Sequence, residues 1–450
     1  MIAAARGHAR WLMRGHSGVA AIAQTMLAQV ALLLAYVVTG VISARALGPA
    51  GRGELAAISL IPNVVSALLT FGLPAAVLYH LKRSAELSRE LTGAAIVMAI
   101  SLGVIAVGVC ELVIPYVFHQ YDASIIMLAR WFVLVLPLTI FTYVGWSVFE
   151  SAGDFWYANR ARLFSPLLTL VMLVVLAALH RVTVLTAGLS YALPNLPVAL
   201  RNLFDIIRRY KPRFSPAAAP YRMLTSYGLR SYGSDILKLI GTQFDQILVV
   251  AFLPPAQMGL YSVSLSLAWV LQIVQNSVSR VLLPRVSAQS LAVVVAAVGR
   301  SARVAGALTA LACVALIVLG PFLLHLFYGD RFAGATGVVR VLAIEAFFAG
   351  TTAVLVQAFL ALGRPGTVTL FQSVGIALSV PLMIVLIPRT GLIGAAVALL
   401  IATLVRFAVV LAAFPALLHI APPALLLGRA DIRYVTDRLR RGTRELEAAA

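Results

Sequence analysis

The densest chemistry in the chain lies between residues 230 and 245, where Arg230, Ser231, Ser234, Asp235, Lys238, Thr242 and Asp245 recur at helical spacing. At about 100° per residue they share one arc of roughly 140°, while Ile236, Leu239, Ile240, Phe244 and Ile247 face the other way. The run sits in apolar sequence, and an ionisable group inside a bilayer is costly unless it is paired or meets water. Two readings are open. In one, Asp235 and Lys238 pair along the helix and stabilise packing. In the other, Arg230 and Lys238 present positive charge to an anionic ligand, and Asp235 and Asp245 hold the geometry or bind a coupling cation. On the next run, Gln272 and Asn276 add polar groups. Arg280 follows on the same run, either extending the positive field or anchoring the cytoplasmic end.

A shift of 206 residues lays this face onto a second one. It carries Gln24 to Arg230, Thr25 to Ser231, Gln29 to Asp235, Tyr36 to Thr242 and Thr39 to Asp245, so Gln24 and Gln29 join the candidate substrate-binding set. The same shift carries Ser66 to Gln272 and Thr70 to Asn276, and lays Leu47-Gly-Pro-Ala-Gly-Arg-Gly53 on Leu253-Pro-Pro-Ala-Gln-Met-Gly259.

The elements that must position these residues follow from composition. Of 450 residues 61% are hydrophobic and 11% charged, with a mean hydropathy of +0.97. A soluble domain has about 45–50% apolar and about 25% charged residues, so a soluble enzyme is excluded. Apolar runs near 18–44, 55–80, 91–118, 126–150, 163–181, 182–201, 226–252, 259–285, 304–328, 337–362, 367–388 and 391–415 predict an all-α polytopic membrane protein of about 12 transmembrane helices. The first run is too long for a signal-peptide core and stays as a helix. Six spans per half is an even number, which implies two six-helix lobes related by a pseudo-twofold axis along the membrane normal. The expected organisation is a cytoplasmic N-terminus (1–17), an N-terminal lobe (18–201), a basic linker (202–225), a C-terminal lobe (226–415) and a basic tail (416–450). Polar faces of spans 1, 2, 7 and 8 would then line a central cleft.

Of the 35 Lys and Arg, 25 fall in loops and tails on one side and 7 on the other. By the positive-inside rule both termini are cytoplasmic. The net charge of +19 is thus a topology signal, and no nucleic-acid partner is expected. The basic tail is a candidate for contact with anionic membrane lipids. Glu345 and Arg406 sit on spans 10 and 12 at estimated depths about 10 Å apart. Cys110 and Cys313 lie in apolar runs, and no metal-ligand spacing, phosphate loop or catalytic set occurs, so neither cofactor nor metal is expected.

Ala44-Arg-Ala-Leu-Gly-Pro-Ala-Gly-Arg-Gly53, Asp245-Gln-Ile-Leu-Val-Val-Ala-Phe-Leu253, Gly259-Leu-Tyr-Ser262, Leu326-Phe-Tyr-Gly-Asp-Arg-Phe-Ala333 and Ala361-Leu-Gly-Arg-Pro-Gly366 span nearly the whole chain in order. With these segments the chain resembles the Wzx-type flippases, the polysaccharide transporter branch of the multidrug/oligosaccharidyl-lipid/polysaccharide exporter superfamily. The resemblance implies a bacterial inner-membrane carrier that moves a polyprenyl-pyrophosphate-linked oligosaccharide outward by alternating access of two lobes, with other polysaccharide-assembly membrane proteins as partners. It also implies a cationic cleft, which Arg230, Lys238 and Arg280 match in chemistry and position. Drug-exporting relatives use acidic residues in the first span that this sequence lacks, and lipid II flippases usually add two helices. A membrane glycan polymerase or ligase is expected to carry a large outer loop, whereas the outer loops here are short.

Overall fold

The computed structural model describes residues 18–428 apart from Ala288, with the side chains of residues 18–30 and a few later ones outside the described residues. Fourteen α-helices are described. They are α1 (Gly18–Leu69), α2 (Leu73–Arg83), α3 (Ser88–Val117), α4 (Ala123–Val133), α5 (Leu136–Ser151), α6 (Phe155–Ala178), α7 (Val184–Ala192), α8 (Asn195–Tyr210), α9 (Ala218–Phe252), α10 (Pro255–Val286), α11 (Leu291–Tyr328), α12 (Thr336–Ala361), α13 (Pro365–Thr390) and α14 (Leu392–Leu418). Two compact units divide the chain, residues 1–262 and 263–450. Leu112, Leu311 and Val318 are about 70% exposed, as side chains facing hydrocarbon should be.

Nine of the described helical segments are long and apolar enough to cross a membrane, against about twelve expected runs. The differences have local causes. Spans 1 and 2 merge in α1 across a kink at Gly48, whose φ of 69° and ψ of −177° suit glycine alone. Proline divides other runs: the expected 55–80 span breaks before Pro74, 126–150 before Pro137 and 182–201 at Pro194. The near-absent gap between the fifth and sixth runs is a real helix boundary, because Thr183 and Thr186 form a reciprocal capping box that starts α7. Only the stretch Leu239–Phe252 of α9 counts as apolar, since the polar face occupies what precedes it.

Within the first unit, the two segments related by the shift of 206 cross at their glycines. A Cβ on Gly53 would overlap the Pro255 carbonyl oxygen, and a Cβ on Gly259 would overlap that of Pro49. The shift carries Pro49 to Pro255 and Gly53 to Gly259, so the contact is reciprocal, as a two-fold axis requires. A second close approach joins the break after α1 to α9. Phe71 and Gly72 both have positive φ, a Cβ on Gly72 would lie 2.5 Å from the Gly228 carbonyl oxygen, and Tyr232 Oη donates to the Leu68 carbonyl freed by the break.

The basic linker is strapped onto α3. Arg213 N donates to the Arg89 carbonyl at 2.9 Å, Arg213 Nη1 lies 3.7 Å from Glu90 Oε1, and Gly93 leaves room for the Arg213 carbonyl. In the second unit, Val294, Val298, Val354, Phe359, Phe371 and Phe414 build a core of α11–α14, with Phe359 edge-on to both Phe371 and Phe414 at 5.2 Å. The chain after α14 folds back on α11, where Arg303 Nη1 donates to the Ala424 carbonyl at 3.2 Å, and Arg364 Nη1 donates to the Leu417 carbonyl in the last turn of α14 at 2.8 Å.

Candidate functional site

The residues expected to form a polar face, 230–245, fall on α9 in the first unit. Arg230 is exposed and makes no ion pair with a described residue. Four turns on, Asp245 is buried, and its Oδ2 accepts a hydrogen bond from Tyr261 Oη of α10 at 2.7 Å. A neutral donor thus satisfies a carboxyl group that burial would otherwise penalise. On α10 in the second unit, Gln272 is half-buried and Asn276 exposed. The side chains of Gln24, Gln29, Asp235, Lys238 and Arg280 lie outside the described residues.

Next to Asn276, Gln275 is fully buried, and its amide oxygen and nitrogen both lack a hydrogen-bond partner. It occupies the space that Gly350 of α12 leaves open. Glu345 of α12 accepts from Thr403 Oγ1 at 2.8 Å, three residues short of Arg406 along α14.

The first unit also has an open cavity of about 270 Å³, lined by many polar side chains, that the sequence reading does not anticipate. Tyr36 and Asn63 reach it from the two halves of α1, Tyr143 and Trp146 from α5, Arg162 from α6 and Asn195 from α8. Tyr36 and Thr39 belong to the arc expected to line a central cleft, and both border this cavity, Thr39 buried and Tyr36 exposed. Several of its hydroxyls are already used. Thr39 donates to the Ala35 carbonyl, Thr142 to that of Leu138, and Ser165 Oγ to Asn195 Oδ1 at 2.9 Å. Arg162 Nη2 pairs with Glu150 Oε1 at 2.6 Å, and its guanidinium lies 5.0 Å over the Trp146 ring. That pairing leaves the cavity without net charge. The Trp146 indole nitrogen is buried with no hydrogen-bond partner. Its lining is spread over six helices; Thr139, Thr142, Tyr143 and Trp146 of α5 and Arg162, Ser165, Pro166 and Thr169 of α6 recur at helical spacing, but spacing alone does not say which arcs face one another.

A groove of about 370 Å³ adjoins it, lined by apolar side chains of α4, α5, α7 and α8, among them Leu128, Trp131, Leu185, Leu189 and Leu196. Phe132, Val135 and Ala192 line both spaces.

Below the first unit's cavity, α6 and α8 are tied by polar contacts. Tyr157 Oη donates to Asp205 Oδ2 at 2.6 Å, Arg201 Nε donates to the same oxygen at 2.7 Å, and Arg209 Nη1 reaches Asp154 Oδ2 at 3.0 Å. Burial acts to raise Asp205, but these hydrogen bonds and the charges of Arg201 and Arg209 hold its carboxyl below the ordinary value.

Comparison with known proteins bears on what this arrangement belongs to. The chain matches the polysaccharide biosynthesis protein family over residues 41–337, more than half its length. No curated protein matches it in sequence. In structure it is similar to the lipid II flippase MurJ in an inward closed conformation, with a TM-score of 0.74 at 14% identity over 90% of this chain and 88% of that one. It is also similar to an inward-facing multidrug resistance MATE transporter of the MOP superfamily (TM-score 0.65, 14% identity, 84% and 92% coverage). A MOP superfamily transporter from Pyrococcus furiosus gives a TM-score of 0.56 at 15% identity, over 89% and 95% of the two chains. At such identities the likeness is one of fold, that of a multi-pass helical membrane protein. The family match over residues 41–337 shows that the chain belongs to the polysaccharide biosynthesis protein family.

Proposed function

We propose that the protein is a flippase that carries a polyprenyl-pyrophosphate-linked oligosaccharide from the cytoplasmic to the outer leaflet of the bacterial inner membrane, by alternating access of two six-helix lobes. The observation that carries this reading is Arg230, an exposed cation without an ion-pair partner among the described residues, on a helix of a membrane-transporter fold. In this reading Arg230, Lys238 and Arg280 hold the pyrophosphate, Gln24, Gln29, Gln272 and Asn276 meet hydroxyl groups, and Asp235 and Asp245 keep the geometry or bind a coupling ion. Likeness to a protein described as a lipid II flippase supports a lipid-linked cargo, and the family match supports a polysaccharide precursor.

Energetics agree with outward movement. With the cytoplasm negative, each negative charge carried across gains about 2.3 kcal/mol per 100 mV, so a pyrophosphate moves downhill without ATP. The test is a deletion strain scored for lipid-linked intermediate. Accumulation on the cytoplasmic leaflet, relieved by the wild-type gene and not by Arg230→Ala, is expected. Normal outward display of the intermediate, with raised drug sensitivity instead, would replace this reading with drug antiport.

A further inference from the structure

We propose that the cavity inside the first unit is a sugar subsite, taking one neutral sugar ring of the cargo while the adjoining groove takes the first isoprene units of its lipid. This rests on the reading that the cargo is a lipid-linked glycan.

The chemistry of the walls selects the ligand. An anion is not favoured, because Arg162 is the cation there and Glu150 already neutralises it at 2.6 Å. A cation is not favoured either, since Glu150 is the carboxylate beside the cavity and is spent on Arg162. A purely apolar ligand would strand the polar groups that face inward, each at a cost of about 1–3 kcal/mol. What remains is a neutral molecule with both polar edges and apolar faces. A pyranose has equatorial hydroxyls around its rim and C–H bonds on its faces, so it is met by aromatic rings and by amide or indole donors. The cavity offers both kinds of group. Tyr143 and Trp146 present rings 5.3 Å apart, and the buried Trp146 N–H and the Asn63 amide have no hydrogen bond to a described residue. A volume of about 270 Å³ is close to the lower bound of about 300 Å³ for small-ligand pockets, which suits one ring and excludes a whole oligosaccharide.

The groove fixes the ligand as an amphiphile. Its lining is almost wholly apolar, and it shares Phe132, Val135 and Ala192 with the polar cavity. A lipid-linked sugar needs such a junction of an apolar and a polar space. Gly188 supports it by leaving room for the Phe132 ring, on which an added Cβ would impinge.

The experiment uses the full-length protein in cells that make the lipid-linked glycan. The photoreactive residue p-benzoylphenylalanine is placed singly at Tyr143 in the cavity, at Leu189 in the groove and at Leu229 on α9, and adducts are identified by mass. Glycan-bearing adducts at Tyr143 and isoprenoid adducts at Leu189 are expected. Phospholipid alone at Tyr143 and Leu189, with glycan-lipid still captured at Leu229, overturns the subsite and leaves the flippase reading standing. Glycan-lipid at none of the three overturns both. Trp146→Phe and Asn63→Ala guard against a poorly folded probe variant. Each removes one side-chain donor that makes no hydrogen bond to a described residue, and each should lower glycan export about fivefold at equal protein level, the loss of one hydrogen bond to cargo. Unchanged export in both would also overturn the subsite.

Discussion

Gly53 and Gly259 meet backbone to backbone, each occupying the space beside the carbonyl of the proline four residues before the other. No side chain larger than hydrogen fits either place. Gly53→Ala and Gly259→Ala should therefore each destabilise the protein by about 1–3 kcal/mol or force the crossing apart. Because the contact is reciprocal, the two losses should be similar. Gly108→Ala and Gly306→Ala, where an added Cβ meets nothing within 4 Å, serve as controls and should leave the melting temperature nearly unchanged.

The charge bias of the loops predicts a topology with the 48–53 and 253–257 turns outside. Arg52 and Gln257 are half-buried, so the exposed neighbours Ala50 and Ala256 are the better reporters. In a background lacking Cys110 and Cys313, cysteines at Ala50 and Ala256 should react with an impermeant thiol reagent in intact cells. Those at Arg208 and Arg364 should not. Labelling at Arg364 from outside would reverse the arrangement.

Asp205 gives a pH dependence with a definite sign. Its carboxyl is held below the ordinary value, so the stability it contributes is present above the unfolded-state value, about pH 4, and is lost as pH falls through the lower folded-state value. Asp205→Asn should lower thermal stability at neutral pH and flatten the acid limb of the stability curve. An acid limb as steep as the wild type's would assign that loss to other carboxylates.

On α9, Arg230→Ala and Lys238→Ala should each reduce flipping tenfold or more, the cost of about 1.4 kcal/mol of lost cargo interaction. Arg230→Lys should keep part of the activity if charge outweighs fork geometry. The double variant Asp235→Ala, Lys238→Ala separates the two readings of the 235–238 pair. Recovery relative to Lys238→Ala would reduce Lys238 to a counter-ion for Asp235.

Much of this was legible in the chain. Hydrophobic runs located the helices, because a bilayer-facing helix must be apolar along its length. The shift of 206 paired the two turns that meet at Gly53 and Gly259, though not the contact between them, because glycine and proline are restricted by backbone geometry that both turns share. Breaks before Pro74 and Pro137 were readable in principle and were overridden by continuous hydropathy, which is blind to a missing N–H. The cavity was not legible. Tyr36 and Thr39 stand on an arc that periodicity could find, and Thr139, Thr142, Tyr143 and Trp146 form another on α5, yet periodicity does not say which neighbour an arc faces. Gln275 was passed over for the same reason.

The crossing at Gly53 and Gly259 is self-complementary: the surface that one half offers is the surface it receives. Two identical six-span chains lying side by side would seal against each other by the same Pro-x-x-x-Gly turn, as a homodimer does, and joining them end to end alters nothing in the seam. What joining does alter is the freedom of everything else. In a dimer of identical chains each substitution appears twice, so a cation on one inner face places a like charge on the other. In a single chain the face bearing Gln24 and Gln29 can remain uncharged while its counterpart acquires Arg230 and Asp235. Here the two halves share the joint and differ in the faces beside it.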